Sequence, residues 1–116
     1  MDFPETNFVL AHFGMPWTTD AAEVMYKNKN VWVDLSGMFV GDRQYFARLE
    51  QEGMLSRSIK RIQEGIEYAE APERFLYGSD WPLAQMSIYH DFVLQLVPEK
   101  HRRAIFHDNA KKIFNL

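Results

Sequence analysis

Three places in this 116-residue sequence set a group capable of acid–base or metal chemistry behind a run of apolar residues. Phe8-Val-Leu-Ala-His12 delivers an imidazole and is followed by Phe13-Gly14. Val31-Trp-Val-Asp34-Leu-Ser36 delivers a carboxylate and a hydroxyl and is followed by Gly37. Phe75-Leu-Tyr-Gly78-Ser-Asp80 delivers a second carboxylate and is closed by Trp81-Pro82. Neutral imidazole and carboxylate suit a hard or borderline divalent cation, and the same groups serve as general acid or base. With no cysteine in the chain, thiolate ligands and disulfides are excluded. Ser36 lacks the Gly-x-Ser-x-Gly surroundings of an activated nucleophile. Asp34 interrupts an apolar strand and must be paired or hydrogen-bonded if buried, which suits a structural role as well as a catalytic one. His90, His101 and His107 fall among surface charges in helical segments and read as solvent-facing or capping residues.

These groups need elements that bring them to one place. Each apolar run is too short for a helix and rich in β-formers, so Phe8–Ala11, Val31–Asp34 and Phe75–Tyr77 read as strands. Near-continuous apolar character fits a parallel sheet covered on both faces, and chemistry in such sheets gathers at the C-terminal strand tips. Between the strands the periodicity turns helical. Ala21, Val24 and Met25 form one stripe, with Thr19 or Asp20 as cap and Asp20/Glu23 spaced as a capping box. Met38–Gln44 reads as a loop, Tyr45, Phe46 and Leu49 as a short helix stopping at Gly53. Leu55, Ile59, Ile62, Ile66 and Ala69 line one face of a longer helix, broken at Ala71-Pro72-Glu73. Ser87 is placed to cap a helix carrying Ile88, Phe92 and Leu96, and Asp108 to cap a last one over Asn109–Phe114. Right-handed crossovers make this an α/β chain of parallel βα units.

The stretches "AHFG", "NVWVDLSG", "RFLYGSDWP" and "NAKKIF", in that order, resemble the C-terminal part of the amidohydrolase-related family of metal-dependent hydrolases and decarboxylases. The resemblance implies the last part, about three of eight units, of a TIM (β/α)8 barrel. It further implies His12 and Asp80 as catalytic residues, with Asp80 a ligand of a divalent metal, zinc by family habit. Trp17, Ser36 and Trp81 are then expected to line the pocket of a small-molecule substrate. The family's usual His-x-His pair of metal ligands does not occur in this sequence. The alternative reading is a non-catalytic partial barrel that serves binding or assembly.

At 116 residues the chain is one domain, well short of the roughly 250 usual for a whole barrel. Hydrophobic residues at 47% and aromatics at 15% indicate a folded core. A net charge of -3, with acids among the bases, leaves no footprint for nucleic acid. No stretch approaches the ~18 apolar residues of a membrane span. A cytoplasmic protein is expected, and so is an oligomer or association with a missing N-terminal portion, because three barrel strands leave unpaired edges and an uncovered face. Phe8, Leu10, Val31, Val33, Phe75 and Tyr77 cannot all be covered by the helices read above.

Overall fold

The computed structural model describes residues 2–116. Its sheet has three parallel strands in the order of the sequence: β1 (Phe8–Leu10), β2 (Val31–Asp34) and β3 (Phe75–Leu76). Val9 lies beside Trp32, Leu10 beside Val33, and Val33 beside Phe75. Helix α1 (Thr18–Lys27) connects β1 to β2, while α2 (Arg43–Gln51) and α3 (Met54–Ala69) connect β2 to β3. After β3 come α4 (Met86–Leu96), a wide π-type turn over Ala104–Asp108 and α5 (Asn109–Phe114). The architecture is the expected chain of parallel βα units.

Strand β2 is buried on both pleats, as its unbroken apolar run requires: Val31 and Val33 enter the main core with Leu35 and Phe75, and Trp32 on the other pleat is 6% exposed. Ala21, Ala22 and Met25 give α1 its buried stripe, and Leu55, Ile62, Ile66 and Ala69 give α3 its own. The two helices meet closely at Gly65, where a Cβ would lie 3.0 Å from the Thr18 methyl and 3.1 Å from the Phe13 ring. Phe13, fully buried, stands edge-on to Phe75 at 5.1 Å between ring centres. Under α4 the rings of Phe39, Phe46, Tyr89 and Phe92 pack edge-to-face or tilted, the arrangements their quadrupoles favour.

At the N-terminal end of the sheet, polar side chains step from one strand to the next. Asn109 donates to the carbonyls of Pro72 and Phe75 at 2.9 and 2.8 Å, holding the start of β3. Arg74, just before β3, donates to Asn28 and Val31 at the start of β2, both at 2.7 Å. Asn30, just before β2, donates to Phe3 and Thr6 ahead of β1 at 2.9 and 2.6 Å. Each donor satisfies carbonyls that the short ladders leave free, which is why Asn30 and Asn109 can be buried.

Several local expectations give way. Strand β1 ends at Leu10, not Ala11, because His12 and Phe13 take left-handed backbone angles (φ 58° and 49°) that no strand continues. Asp20 and Glu23 form no capping box: Trp17 occupies the cap position without a side-chain bond, and Glu23 turns to Lys27 at 2.7 Å and to the Tyr68 hydroxyl. Helix α2 starts inside the segment read as loop, where Asp42 caps it by accepting from the Tyr45 N–H at 3.0 Å. Ser87 lies within α4, whose cap position is Gln85, and Asp108 spends its carboxylate on His107 and Arg103 instead of capping α5. The six sheet residues that could not all be covered divide: Val31, Val33 and Phe75 are buried, Leu10 and Tyr77 are half-buried, and Phe8 is exposed. Exposure is confined to β1, with Phe8 at 43% and its neighbour Val9 at 40%.

The two sheet edges differ accordingly. Beyond β3, Phe75 gives its carbonyl to Asn109 and the Tyr77 N–H donates to Ile105 at 3.0 Å, so the chain's own C-terminal segment covers that edge. On β1 the Phe8 N–H donates to Asn30, which by the alternation of a parallel ladder turns the Val9 N–H and C=O away from β2. Asn109→Ala should therefore lower stability by about 1–3 kcal/mol, the cost of orphaned buried carbonyls, and lower the urea midpoint with it. An unchanged midpoint in equilibrium urea unfolding contradicts the role given to Asn109.

Candidate active site

All three strands leave the sheet through left-handed residues: His12 and Phe13 after β1, Gly37 (φ 55°) after β2 and Asp80 (φ 61°) after β3. Such a conformation costs an ordinary residue roughly 1–2 kcal/mol, less for His, Asp and Gly, the types found at every one of these positions but Phe13, whose ring is fully buried. The turns are abrupt as a result. They direct the polar groups across the C-terminal sheet edge.

Asp34 ties these tips together. Its Oδ1 accepts three hydrogen bonds: from the His12 N–H at 3.0 Å, from the Ser36 N–H at 3.0 Å and from the Ser36 hydroxyl at 2.6 Å. The carboxylate thus fixes the tip of its neighbouring strand and the turn of its own. These bonds give Asp34 a structural role.

The ring of His12 has its Nδ1 at 2.8 Å from the Ser36 carbonyl and 3.1 Å from the Ser36 hydroxyl. A carbonyl accepts and cannot donate, so Nδ1 carries a hydrogen. In the neutral ring that leaves the Nε2 lone pair free for a proton or a ligand. Asp80 arrives from the other side. A Cβ on Gly37 would lie 2.6 Å from His12 Nδ1 and 2.7 Å from Asp80 Oδ2, so both side chains close on the same glycine from opposite strands. Any larger residue at position 37 would displace one or both. Gly78 is also tight, with its Cβ position 3.0 Å from the Ser36 Cβ.

His12, Ser36 and Asp80, three of the residues singled out in the sequence, are thus brought together, each half-buried. Trp17 and Trp81 lie on the flanking loops and are 68% and 67% exposed. Trp81 borders a shallow groove with Gly41, Asp42 and Met86. His90, His101 and His107 lie in the helical layer as expected, although His90 packs its ring edge against Tyr77 and Phe106 instead of standing free in solvent. For a metal ion, the pair offers the Asp80 carboxylate and one ring nitrogen of His12. Among the described residues no three His, Cys, Asp or Glu side chains gather as an ion would need. Catalytic zinc typically takes three protein ligands, so this donor set does not by itself fit the ion.

Two contributors are not legible in any single segment of the sequence. Gly37 reads as a turn glycine, and its close approach to two side chains is visible only in three dimensions. Tyr89 lies about fifty residues from the turn it touches: its hydroxyl donates to Leu35 and accepts from the Met38 N–H at 3.1 Å. Burial pushes its hydroxyl pKa well up, which keeps it a donor. A tyrosine in an apolar helix face gives no local sign of such a bond.

Comparison with known proteins gives the chain a family and a fold. The family model described as amidohydrolase matches residues 1–116. No curated protein matches. Among solved structures, an uncharacterised TIM-barrel protein from Bordetella bronchiseptica is 18% identical with a TM-score of 0.63, over 98% of this chain and 36% of that one. An amidohydrolase from Burkholderia multivorans with bound zinc is 20% identical, TM-score 0.60, over 96% and 44%. A dihydroxybenzoic acid decarboxylase from Polaromonas with bound manganese and the inhibitor 2-nitroresorcinol is 16% identical, TM-score 0.60, over 99% and 35%. The chain therefore spans less than half the length of these barrels, and its three parallel βα units have the fold of part of a TIM barrel. By the match along its whole length, this chain belongs to the amidohydrolase family.

Proposed function

We propose that this chain supplies the acid–base part of a metal-dependent amidohydrolase or decarboxylase site, acting on a small molecule with a carbonyl or carboxylate centre. The observation that supports it most directly is the convergence of His12 and Asp80 on Gly37 at the C-terminal sheet edge, where barrel enzymes hold their chemistry. Asp80 is positioned to accept a proton from an attacking water. His12, held in the Nδ1–H form by Ser36, presents Nε2 to a substrate oxygen: as a base when neutral and as a donor when protonated. Ser36 and the flanking Trp17 and Trp81 are the candidates for substrate contact. The relatives crystallised with zinc or manganese favour a divalent ion for the complete site, with Asp80 as this chain's ligand. Its remaining ligands have to come from other polypeptide.

The supply of that polypeptide falls to β1. Its outward-facing Val9 backbone groups and the exposed Phe8 and Val9 side chains form an edge that another strand can extend. We therefore expect association of this chain through β1, with a second copy or with a segment carrying the other barrel strands. Sedimentation at micromolar concentration should show species larger than the monomer, and Val9→Lys should return them to monomer. A compact wild-type monomer that is indifferent to Val9→Lys would exclude assembly at this edge.

A second reading, a partial barrel that binds or assembles without catalysis, is favoured by the incomplete donor set. Zinc calorimetry bears on the chain itself: weak or undetectable binding is expected, and a stoichiometric site lost on Asp80→Asn would mean that His12 is a ligand and not an acid–base group. Turnover separates the two readings. Joined to upstream strands that carry a His-x-His pair, the chain should support metal-dependent reaction of a small carboxylate or carbonyl substrate. His12→Asn should then lower kcat/KM by roughly 10²–10⁴-fold, the usual contribution of general acid–base catalysis. Gly37→Ala should cost a comparable factor, because its Cβ collides with both groups. Full turnover in a folded His12→Asn variant would leave only the binding reading.

A further inference from the structure

We propose that Tyr89 is the positioning residue that fixes the tautomer of His12, acting through the turn after β2. The inference deepens the reading of His12 and Asp80 as the reacting pair and rests on it. Tyr89 lies in the middle of α4 with no exposed surface. Its hydroxyl spans the turn: it donates to the carbonyl of Leu35 and accepts from the N–H of Met38 at 3.1 Å. The residues between those two contacts are Ser36 and Gly37.

These two are the residues that meet the site. The Ser36 carbonyl faces His12 Nδ1 at 2.8 Å, and the Gly37 α-carbon faces both His12 and Asp80. With Leu35 and Met38 clamped to one hydroxyl, the chord of the turn has a fixed length, and the Ser36 carbonyl cannot swing off the imidazole. Asp34 holds the same turn from its strand side, through the Ser36 N–H and hydroxyl. The brace has two ends, one on the sheet and one on α4. Without the Tyr89 end, Ser36 keeps its bond to Asp34 but Gly37 and Met38 can move. His12 Nδ1 then loses its closer acceptor, the Ser36 carbonyl at 2.8 Å, and keeps only the longer 3.1 Å contact with the Ser36 hydroxyl, so the balance of the ring moves toward hydrogen on Nε2, where it could no longer act as a base toward substrate. Burial of the Tyr89 hydroxyl keeps it protonated across the working pH range, so the donor to Leu35 persists.

The aromatic ring of Tyr89 also packs against Phe92 at 5.5 Å, so a purely structural role must be told apart from the brace. Tyr89→Phe keeps the ring and removes the hydroxyl. In the wild-type chain, long-range proton–nitrogen NMR of the His12 ring above its titration should show hydrogen on Nδ1 and an unprotonated Nε2. In Tyr89→Phe the Nδ1–H form should fall to the minor species while the fold, by circular dichroism, is kept. An Nδ1–H population that is unchanged in the folded variant overturns the proposal, as does a wild-type ring already protonated on Nε2.

Should the variant fail to fold, 3-fluorotyrosine placed at position 89 alone keeps both the shape and the hydroxyl while making it more acidic. The Met38 amide and the His12 Nδ1 resonances should then shift together. A fixed His12 Nδ1 resonance, whether or not the Met38 amide moves, overturns the brace. Neither measurement depends on turnover or on a metal. A negative result therefore removes Tyr89 from the site and leaves the proposed function to its own assay.

Discussion

One carboxylate oxygen, Asp34 Oδ1, decides how the tips of this sheet are arranged. It takes hydrogen bonds from the backbone of the strand beside it and from both polar groups of the turn that follows it. A half-buried carboxylate is costly to leave unpaired, and three donors, two of them rigid backbone N–H groups, satisfy it. Because His12 is reached through its own backbone, its ring is anchored at the root by Asp34 and at Nδ1 by Ser36. The imidazole has little freedom left. Without this oxygen the left-handed turn at His12 and Phe13 would lose the bond that ties its first N–H to β2 against its conformational cost.

The opposite end of the sheet is organised by a different device with the same logic. Asn109, Arg74 and Asn30 each reach back to the backbone ahead of the neighbouring strand. The strands are only two to four residues long, so their ladders alone would specify register weakly. Side-chain bonds at one end and Asp34 at the other fix that register from outside the ladder. A helix layer in which Gly65 lets α1 and α3 approach then sets the height of Phe13 below the active tip. Packing and polar bonding thus cooperate in placing one loop.

Much of this was legible in the residues, for definable reasons. The order and direction of the strands follow from apolar runs separated by helical periodicity, and the convergence of His12 with Asp80 follows from their standing one and three positions past their runs in a parallel sheet. The local caps were misjudged where two side chains competed: Glu23 has a partner in Lys27 and Tyr68 on neighbouring turns, which outweighs a box with Asp20, and Asp108 has two cations within reach. Which of the sheet residues would find cover was not legible, because burial depends on chain far away in sequence. The segment around Ile105 and Asn109 comes back to β3, and no periodicity in Phe75–Tyr77 announces it. Tyr89 escaped for the same reason.

The unequal edges of the sheet carry a consequence for how such a unit could spread through larger assemblies. A sheet open on both sides can add copies head to tail without end, the geometry of fibrils. Here the Asn109 and Ile105 contacts occupy one side, and on the other the Val9 backbone groups of β1 face outward. If copies of the proposed β1 association pair through backbone, such growth would be two-fold and would stop at a pair. Under the association proposed for β1, the covering of β3 would act as a terminator of polymerisation, and a residue that satisfies two carbonyls would also limit the stoichiometry the fold can reach.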